Sequence, residues 1–343
     1  MKTTSILLSA LLLGAVGCTS SIPEEQIEHE TDKYSVQFKG GISLTQTKAA
    51  STSEIGSGVK ATIYAYVSEQ TDASVASHEY EAGSSGNLTG TDSYTMQLGK
   101  GTYDFYGVSA NSSTTSAPAF DQSGNTTTSA LSNNVDYLWV KAAGKSINSS
   151  SSDQNIDLTF ERKAVKIVIT IKSGTGIELT GWDGMTNGSG SASADAATIT
   201  PPVATDCVMT LSTGAIAQST SLNTTAANMT TGAIEADSDN GSKKKTTVSY
   251  IMLPLGKHEG TTPSPTVILK VKVKIGTQTT EELRTYTADL KAPSGTSAEF
   301  QSGNQYNYTA VLNANGITFT GAKVTDWEAQ TGDELTPTEP DSE

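Results

Sequence analysis

Short segments in which apolar and polar residues alternate recur along the chain, each followed by a cluster of Gly, Ser, Asn or Asp. Tyr34, Val36 and Phe38 alternate with polar residues near the start, and the run TVILKVKVKI at 266–275 alternates throughout. A period of two places one face of a strand on a core and the other in solvent. Helical periodicity never exceeds about two turns. The sequence therefore predicts an all-β protein whose strands are spaced as in β-sandwiches.

The composition supports strands and turns and excludes several functional classes. More than a quarter of the 343 residues are Ser or Thr and 31 are Gly, which are poor residues for helix interiors. The net charge is −14 with only two arginines, whereas nucleic-acid binding needs a basic face. Two cysteines cannot form a disulfide scaffold, and no Cys/His cluster indicates zinc. We expect no metal, no cofactor and no nucleic-acid partner.

The first 18 residues, MKTTSILLSALLLGAVGC, have the layout of a secretory signal. Lys2 precedes a short apolar region that is too short to span a bilayer as a stable helix. Cys18 follows Ala15-Val16-Gly17 directly, an arrangement that resembles a bacterial lipobox. Plain secretion with a stray cysteine is the alternative. We favour acylation of Cys18, because a lone cysteine at this boundary has no packing role.

The sequence contains several weaker candidate sites. Cys207 lies among apolar residues, which indicates a buried structural thiol. Residues 237–241, DSDNG, resemble the start of a calcium loop, but Val248 stands where such a loop ends in Glu, so calcium binding by Asp237 and Asp239 stays open. Trp182 could stack on a sugar, although packing beneath its own turn is favoured. No arrangement of Ser, His, Asp or Lys predicts catalysis, so we expect no enzyme.

A Gly/Ser-rich stretch at 144–153, GKSINSSSSD, reads as a linker between two tandem domains. The run VKIVITI at 165–171 is the most apolar of the chain after the signal and predicts a central strand. The predicted organisation is a signal peptide at 1–17, a tether and removable first strand at 18–48, an N-terminal sandwich at 49–150, a C-terminal sandwich at 151–331 and an acidic tail at 332–343.

The end of the chain carries the most specific pattern. The segment GNQYNYTAVL at 303–312 is followed by GITF at 316–319 and by VTDW at 324–327. This order of a Gly, a Tyr-x-Tyr strand, a Gly-Ile strand and an Asp-Trp resembles the end of Bacteroidetes fimbrillins, the subunits of type V pili. FERKAVKIVITI at 160–171 resembles the first strand of that family's second domain, and Thr47-Lys48-Ala49 resembles its processing region.

The resemblance implies a transthyretin-like Greek-key sandwich in each domain and a lipoprotein precursor anchored in the outer membrane through Cys18. A trypsin-like protease would cut between Lys48 and Ala49 and remove the first strand. The C-terminal strand of a neighbouring subunit would then fill the vacated groove. Its apolar donor residues would be Ile317, Phe319, Val324 and Trp327. The implied partners are other fimbrillin subunits in a head-to-tail homopolymer, an extracellular fimbrium for adhesion whose surface ligand the sequence does not identify.

Two alternatives follow from the sequence. The family's processing site usually carries Arg, whereas this chain has Lys48. A subunit that keeps its first strand would have a filled groove and would suit an anchor at the base of a pilus. The second alternative is a non-polymerising surface lipoprotein that binds glycans through the loops at 109–135 and 181–197.

Overall fold

A computed structural model describes most of the chain between Asp32 and Trp327. The described residues are 32–43, 52–70, 72–120, 126–148, 153–186, 188–203, 206–217, 221–239, 241, 243–256, 263–292, 299–314 and 316–327. They form strands, turns and two single-turn 3-10 helices, Ser84–Gly86 and Thr91–Ser93, which confirms the all-β prediction. No helix in these ranges is long and apolar enough to cross a membrane.

The strands are β1 (Lys33–Ser43), β2 (Thr52–Glu54), β3 (Lys60–Val67), β4 (Ala76–Ala82), β5 (Asn87–Gly90), β6 (Met96–Gly99), β7 (Gly101–Ser109), β8 (Leu138–Ile147), β9 (Asp153–Arg162), β10 (Val165–Ser173), β11 (Ile177–Trp182), β12 (Ala197–Thr200), β13 (Ala227–Asn228), β14 (Thr230–Thr231), β15 (Glu235–Ala236), β16 (Lys244–Met252), β17 (Thr266–Ile275), β18 (Glu282–Asp289), β19 (Asn304–Asn313) and β20 (Gly316–Asp326).

The first nine strands form one sheet that closes on itself. Its order is β2-β1-β5-β4-β3-β7-β8-β9, with β6 beside β1. The additional pairing of β1 with β9 joins the two sides of the sheet. The interior is filled by alternate apolar residues of these strands, such as Ile63, Phe105 and Phe160. The two edges of this sheet are therefore joined at β1, which closes the sheet around its core.

The remaining strands form two sheets that share a second core. One has the order β14-β16-β10-β19-β20, with β15 beside β16, and the other has the order β11-β17-β12-β13, with β18 beside β17. The apolar strand β10 lies between β16 and β19, as predicted for a central strand. β17 pairs with β11 and β12 on one side and with β18 on the other.

The second core also covers the outer face of the first sheet. Tyr64 and Tyr66 of β3 and Tyr106 of β7 are buried in it, although their strand neighbours point into the first core. β3 and β7 are thus buried on both faces, whereas a period-two pattern ordinarily leaves one face of a strand in solvent. The predicted exposed loop at 109–135 contributes to this covering layer, because Phe120 and Leu131 are buried there.

The boundary predicted at residues 150 and 151 falls within the first sheet and is corrected by the strand pairing. Gly144 belongs to β8, and β9 pairs with β8 and runs parallel to β1. The Gly/Ser-rich stretch therefore joins neighbouring strands of one sheet. The chain leaves that sheet between Arg162 and Val165, where β9 ends and β10 begins. Composition identified a connection here but could not show which strands it joins.

Candidate assembly site

Strand β1 is held on both of its edges. It runs parallel to β9 from Ser35 to Ile42 and antiparallel to β6, β5 and β2 on its other side. A parallel partner so far along the chain cannot come from a hairpin, so β1 is inserted between strands that do not otherwise meet. Its removal would leave the facing N–H and C=O groups of β9, β5 and β6 without their partners. The sheet would then be open along a single groove.

The inner face of β1 fills a row of apolar pockets. Val36, Phe38 and Ile42 are 2%, 4% and 2% exposed, respectively. The Phe38 ring meets the rings of Tyr80 and Phe105 edge to face, at centroid distances of 5.2 and 5.4 Å. Burying each such apolar side chain contributes about 1.5–3 kcal/mol. The groove therefore combines backbone hydrogen-bonding groups with an apolar floor.

The groove is narrow at Gly40, between the Phe38 and Ile42 pockets. A Cβ atom at this position would lie 3.1 Å from Ile55 Cγ2 and 3.3 Å from Leu88 Cδ1. These separations are shorter than ordinary carbon–carbon contacts, so both side chains would have to move. A residue larger than glycine is therefore accommodated at this position only if Ile55 and Leu88 shift by a few tenths of an ångström.

Strand β20, which contains the predicted donor residues, lies at the edge of the second sheet. It pairs antiparallel with β19, with a register shift between Asn307 and Thr309. Ile317 and Phe319 are partly buried against the second core. The backbone of Val324 lies opposite Tyr306, while its side chain is outside the described residues. The segment predicted to be the donor strand thus already pairs within its own chain.

Trp327 directly follows β20 and lies in a buried polar cluster. The Arg162 guanidinium donates from Nη1 to the Trp327 carbonyl at 3.0 Å and lies 4.9 Å from its ring. Arg162 Nε also donates to Asp136 Oδ2 at 3.0 Å, and Asn111 Nδ2 donates to the same oxygen at 2.7 Å. Burial raises the pKa of the Asp136 carboxyl, and the Arg162 charge opposes that rise. The cluster ties the end of β20 to the start of β8 and the end of β9.

The sequence profile of the fimbrillin-like family matches residues 47–327. This chain belongs to the fimbrillin-like family. The matched range covers most of the chain and includes every described strand except β1. A comparison with curated proteins found no match.

Three solved structures of similar fold come from Bacteroides species. A candidate cell adhesion protein from Bacteroides ovatus has a TM-score of 0.56 at 15% identity, covering 87% of this chain and 99% of that one. A fimbrial protein from Bacteroides vulgatus has a TM-score of 0.53 at 12% identity, with 87% and 100% covered. A candidate cell adhesion protein from Bacteroides uniformis gives 0.52 at 17% identity, with 86% and 98% covered. At these identities the likeness concerns the fold alone.

The residues predicted for lipidation and processing in this fimbrillin-like chain, Cys18, Lys48 and Ala49, lie outside the described residues. The structure does place the neighbouring lysines. Lys33 and Lys39 lie within β1, and Lys60 begins β3. The lysines flanking position 48 are therefore held in sheet ladders.

The sugar-stacking interpretation of Trp182 was wrong for this fimbrillin-like protein. Its side chain is fully buried, and Nε1 donates to the Gly232 carbonyl at 3.0 Å. Trp182 is buried, as the favoured alternative predicted, but at the end of β11 in the second core. Because Phe120 and Leu131 are also buried, the two loops proposed for glycan binding offer none of these side chains to a ligand.

Two further candidates have structural roles. Cys207 is buried, as predicted. Lys172 Nζ bonds to Asp239 and lies 3.6 Å from Asp237 Oδ1, and its hydrogen bond to Asp239 raises the pKa of the Lys172 ammonium. This ammonium occupies the position that a cation would need between the two carboxylates. In the described part of the chain, no cluster of three or more His, Cys, Asp or Glu residues could hold a metal ion.

Sequence reasoning missed the Arg162–Asp136 pair and the size limit at Gly40. Arg162 was a detectable signal, because it is one of only two arginines and is followed directly by the apolar β10 segment. An arginine next to a core strand needs a buried acceptor. Gly40 gave no such signal, since its neighbours Ile55, which follows β2, and Leu88 of β5 come from other parts of the chain.

Proposed function

We propose that this chain is a structural pilus subunit that polymerises head to tail when a neighbour's C-terminal strand replaces β1. The observation that supports this proposal is the place of β1, inserted between β9 and the pair β5 and β6. Its loss would expose unpaired backbone groups beside vacant apolar pockets. Leaving such groups buried and unpaired costs about 1–3 kcal/mol each, so a replacement strand binds strongly. A heterologous interface of this kind does not close and yields a filament.

The proposed precursor is a lipoprotein of the outer membrane, exported to the cell surface with Cys18 acylated. Acyl chains anchor firmly, since each buried CH₂ contributes about 0.8 kcal/mol. The polar, acidic residues 19–32 would form the tether to the folded domain. Processing would separate both the anchor and β1 from the working subunit.

Replacing Cys18 with Ser should abolish incorporation of a labelled fatty acid and release the precursor from the outer membrane. The reason is that the hydroxyl cannot form the thioether on which the anchor is built. Metabolic labelling followed by membrane fractionation measures both effects. Cys207→Ser is the matched control and should keep the label, because that residue is buried in the core. Label retained by Cys18→Ser would contradict lipidation at this residue.

We propose that processing occurs after Lys48. Proteases prefer exposed connecting segments to residues held in sheets. Between Cys18 and the end of β3, the sequence has one histidine, His29, and four lysines, Lys33, Lys39, Lys48 and Lys60. Lys33 and Lys39 lie in β1, and Lys60 lies in β3. Lys48 is the one that stands between strands in the sequence.

Replacing Lys48 with Ala should prevent removal of β1 and reduce surface polymer to a small fraction of the unmodified level. The groove would then stay filled by the subunit's own strand. N-terminal sequencing of surface-assembled protein should give Ala49 for the unmodified chain. Lys39→Ala changes a lysine within β1 and should leave processing unaltered. A surface-assembled chain that begins before Lys33 would instead support the anchor alternative, in which β1 is retained.

A further inference from the structure

Strands β1 and β20 carry the same residue pattern. Val36-Gln37-Phe38-Lys39-Gly40-Gly41 in β1 corresponds to Ile317-Thr318-Phe319-Thr320-Gly321-Ala322 in β20. Both segments place a β-branched aliphatic residue, a phenylalanine and a glycine at alternate positions, followed by a second small residue. The three alternate residues of β1 all face the first core.

We infer that β20 of a second copy of this chain enters the β1 groove in one register, with Phe319 in the place of Phe38 and Gly321 in the place of Gly40. This inference rests on the proposed function and adds the alignment of the two strands, residue by residue. Ile317 then fills the Val36 pocket, and the Phe319 ring lies between Tyr80 and Phe105, as the Phe38 ring does.

The narrow point of the groove selects this register. Sliding β20 two residues in one direction would put Phe319 at Gly40, where even a single Cβ atom meets Ile55 at 3.1 Å. Sliding it two residues the other way would put Lys323 there and would leave the Phe38 pocket to Gly321. Both alternatives combine an overlap with a cavity or a poorly filled pocket, and each is destabilising in a close-packed core.

Displacement by one residue and reversal of the strand fail for related reasons. A one-residue shift turns the strand over, so that Thr318 and Thr320 would face the Val36 and Phe38 pockets. Running β20 in the opposite direction with Phe319 in the Phe38 pocket would place Ile317 at Gly40. The inferred register is thus the one in which the apolar residues fill pockets and the glycine lies at the narrow point.

At position 42 the match between the two strands fails, because Lys323 takes the place of Ile42. That position lies near the end of the β1–β9 ladder, opposite Phe160 and Ser53. A lysine can lay its methylene groups over an apolar surface and extend its ammonium to solvent. The mismatch therefore limits the fit at the end of the groove and leaves the central three positions unchanged.

Disulfide crosslinking in assembled polymer tests the register. Lys39 lies opposite Asp157 of β9, and both side chains are exposed. Thr320 takes the place of Lys39, so Thr320→Cys combined with Asp157→Cys should give reducible intermolecular ladders under mild oxidation. Thr318→Cys and Ala322→Cys, each with Asp157→Cys, are matched controls displaced by two residues. That displacement moves a Cα by about 6.6 Å along the strand, which puts the pair beyond the roughly 7 Å limit for a disulfide.

The expected result is at least about tenfold more linked product from the Thr320 pair than from either control, since only its Cα separation fits a disulfide. Stronger linkage through Thr318 or Ala322 would overturn the register and leave strand donation intact. Polymer that forms without linkage at any pair would overturn the register and the donor-strand mechanism together. Absence of polymer from the unmodified chain, in cells that display it, would overturn the proposed function itself.

Discussion

Replacing Gly321 with Val should strongly reduce polymer formation while the precursor still folds. In the inferred register, residue 321 of one copy lies where Gly40 lies in the precursor. A Cβ atom there already meets Ile55 Cγ2 at 3.1 Å and Leu88 Cδ1 at 3.3 Å, and valine adds two methyl groups. Overpacking of this kind costs about 1–3 kcal/mol, which weakens binding of the strand by about 5- to 150-fold. Heat-resistant ladders of surface protein provide the measurement.

The control for Gly321→Val is Thr320→Leu, which enlarges the neighbouring residue on the exposed side. In the inferred register residue 320 takes the place of Lys39, where a long exposed side chain already fits, so polymer should form normally. Ile55→Ala removes the nearest obstacle and should restore part of the polymer when combined with Gly321→Val. Circular dichroism of each precursor separates failed assembly from failed folding. Normal ladders from Gly321→Val would show that residue 321 does not lie at the narrow point.

The sequence was sufficient to predict the strands that have one solvated face. The period-two pattern predicted β17 at 266–275, the bounds that the structure has, and the apolar run at 165–171 predicted the central strand β10. These predictions succeed because alternation is a local consequence of strand geometry. The packing of the outer face of β3 could not be predicted in this way. Tyr64 and Tyr66 are covered by residues from distant parts of the chain.

The same limit applies to the candidate assembly site. The repeated pattern of Val36-x-Phe38-x-Gly40 in β20 was present in the sequence but acquired meaning only from the groove, because only the structure places Ile55 and Leu88 against Gly40. Sheet closure by parallel pairing of β1 with β9 joins residues more than a hundred positions apart. No local signal specifies such a partner, since register is determined by which faces are buried.

Removing the Arg162 side chain should lower the free energy of unfolding by about 3–5 kcal/mol, the usual cost of leaving one member of a buried ion pair without its partner. Arg162→Ala would leave the buried Asp136 carboxylate without its ion-pair partner, and its remaining hydrogen bond comes from Asn111. Urea denaturation of the precursor measures the loss. Arg284→Ala is the matched control. Arg284 and Glu282 form an ion pair in which both side chains are exposed, so we expect the free energy of unfolding to fall by less than about 1 kcal/mol.

The double variant Arg162→Ala, Asp136→Ala separates the ion pair from the anchoring of β20. Removing both charges should recover much of the stability, because no buried charge then lacks a partner. The Trp327 carbonyl would still lose its hydrogen bond from Arg162, so the end of β20 should exchange its amide hydrogens faster than in the unmodified chain. If β20 must leave β19 before it enters a neighbour's groove, the double variant should also polymerise faster. Faster exchange with an unchanged polymerisation rate would mean that Trp327 stays with its own subunit, which would confine the donated segment to the residues before it.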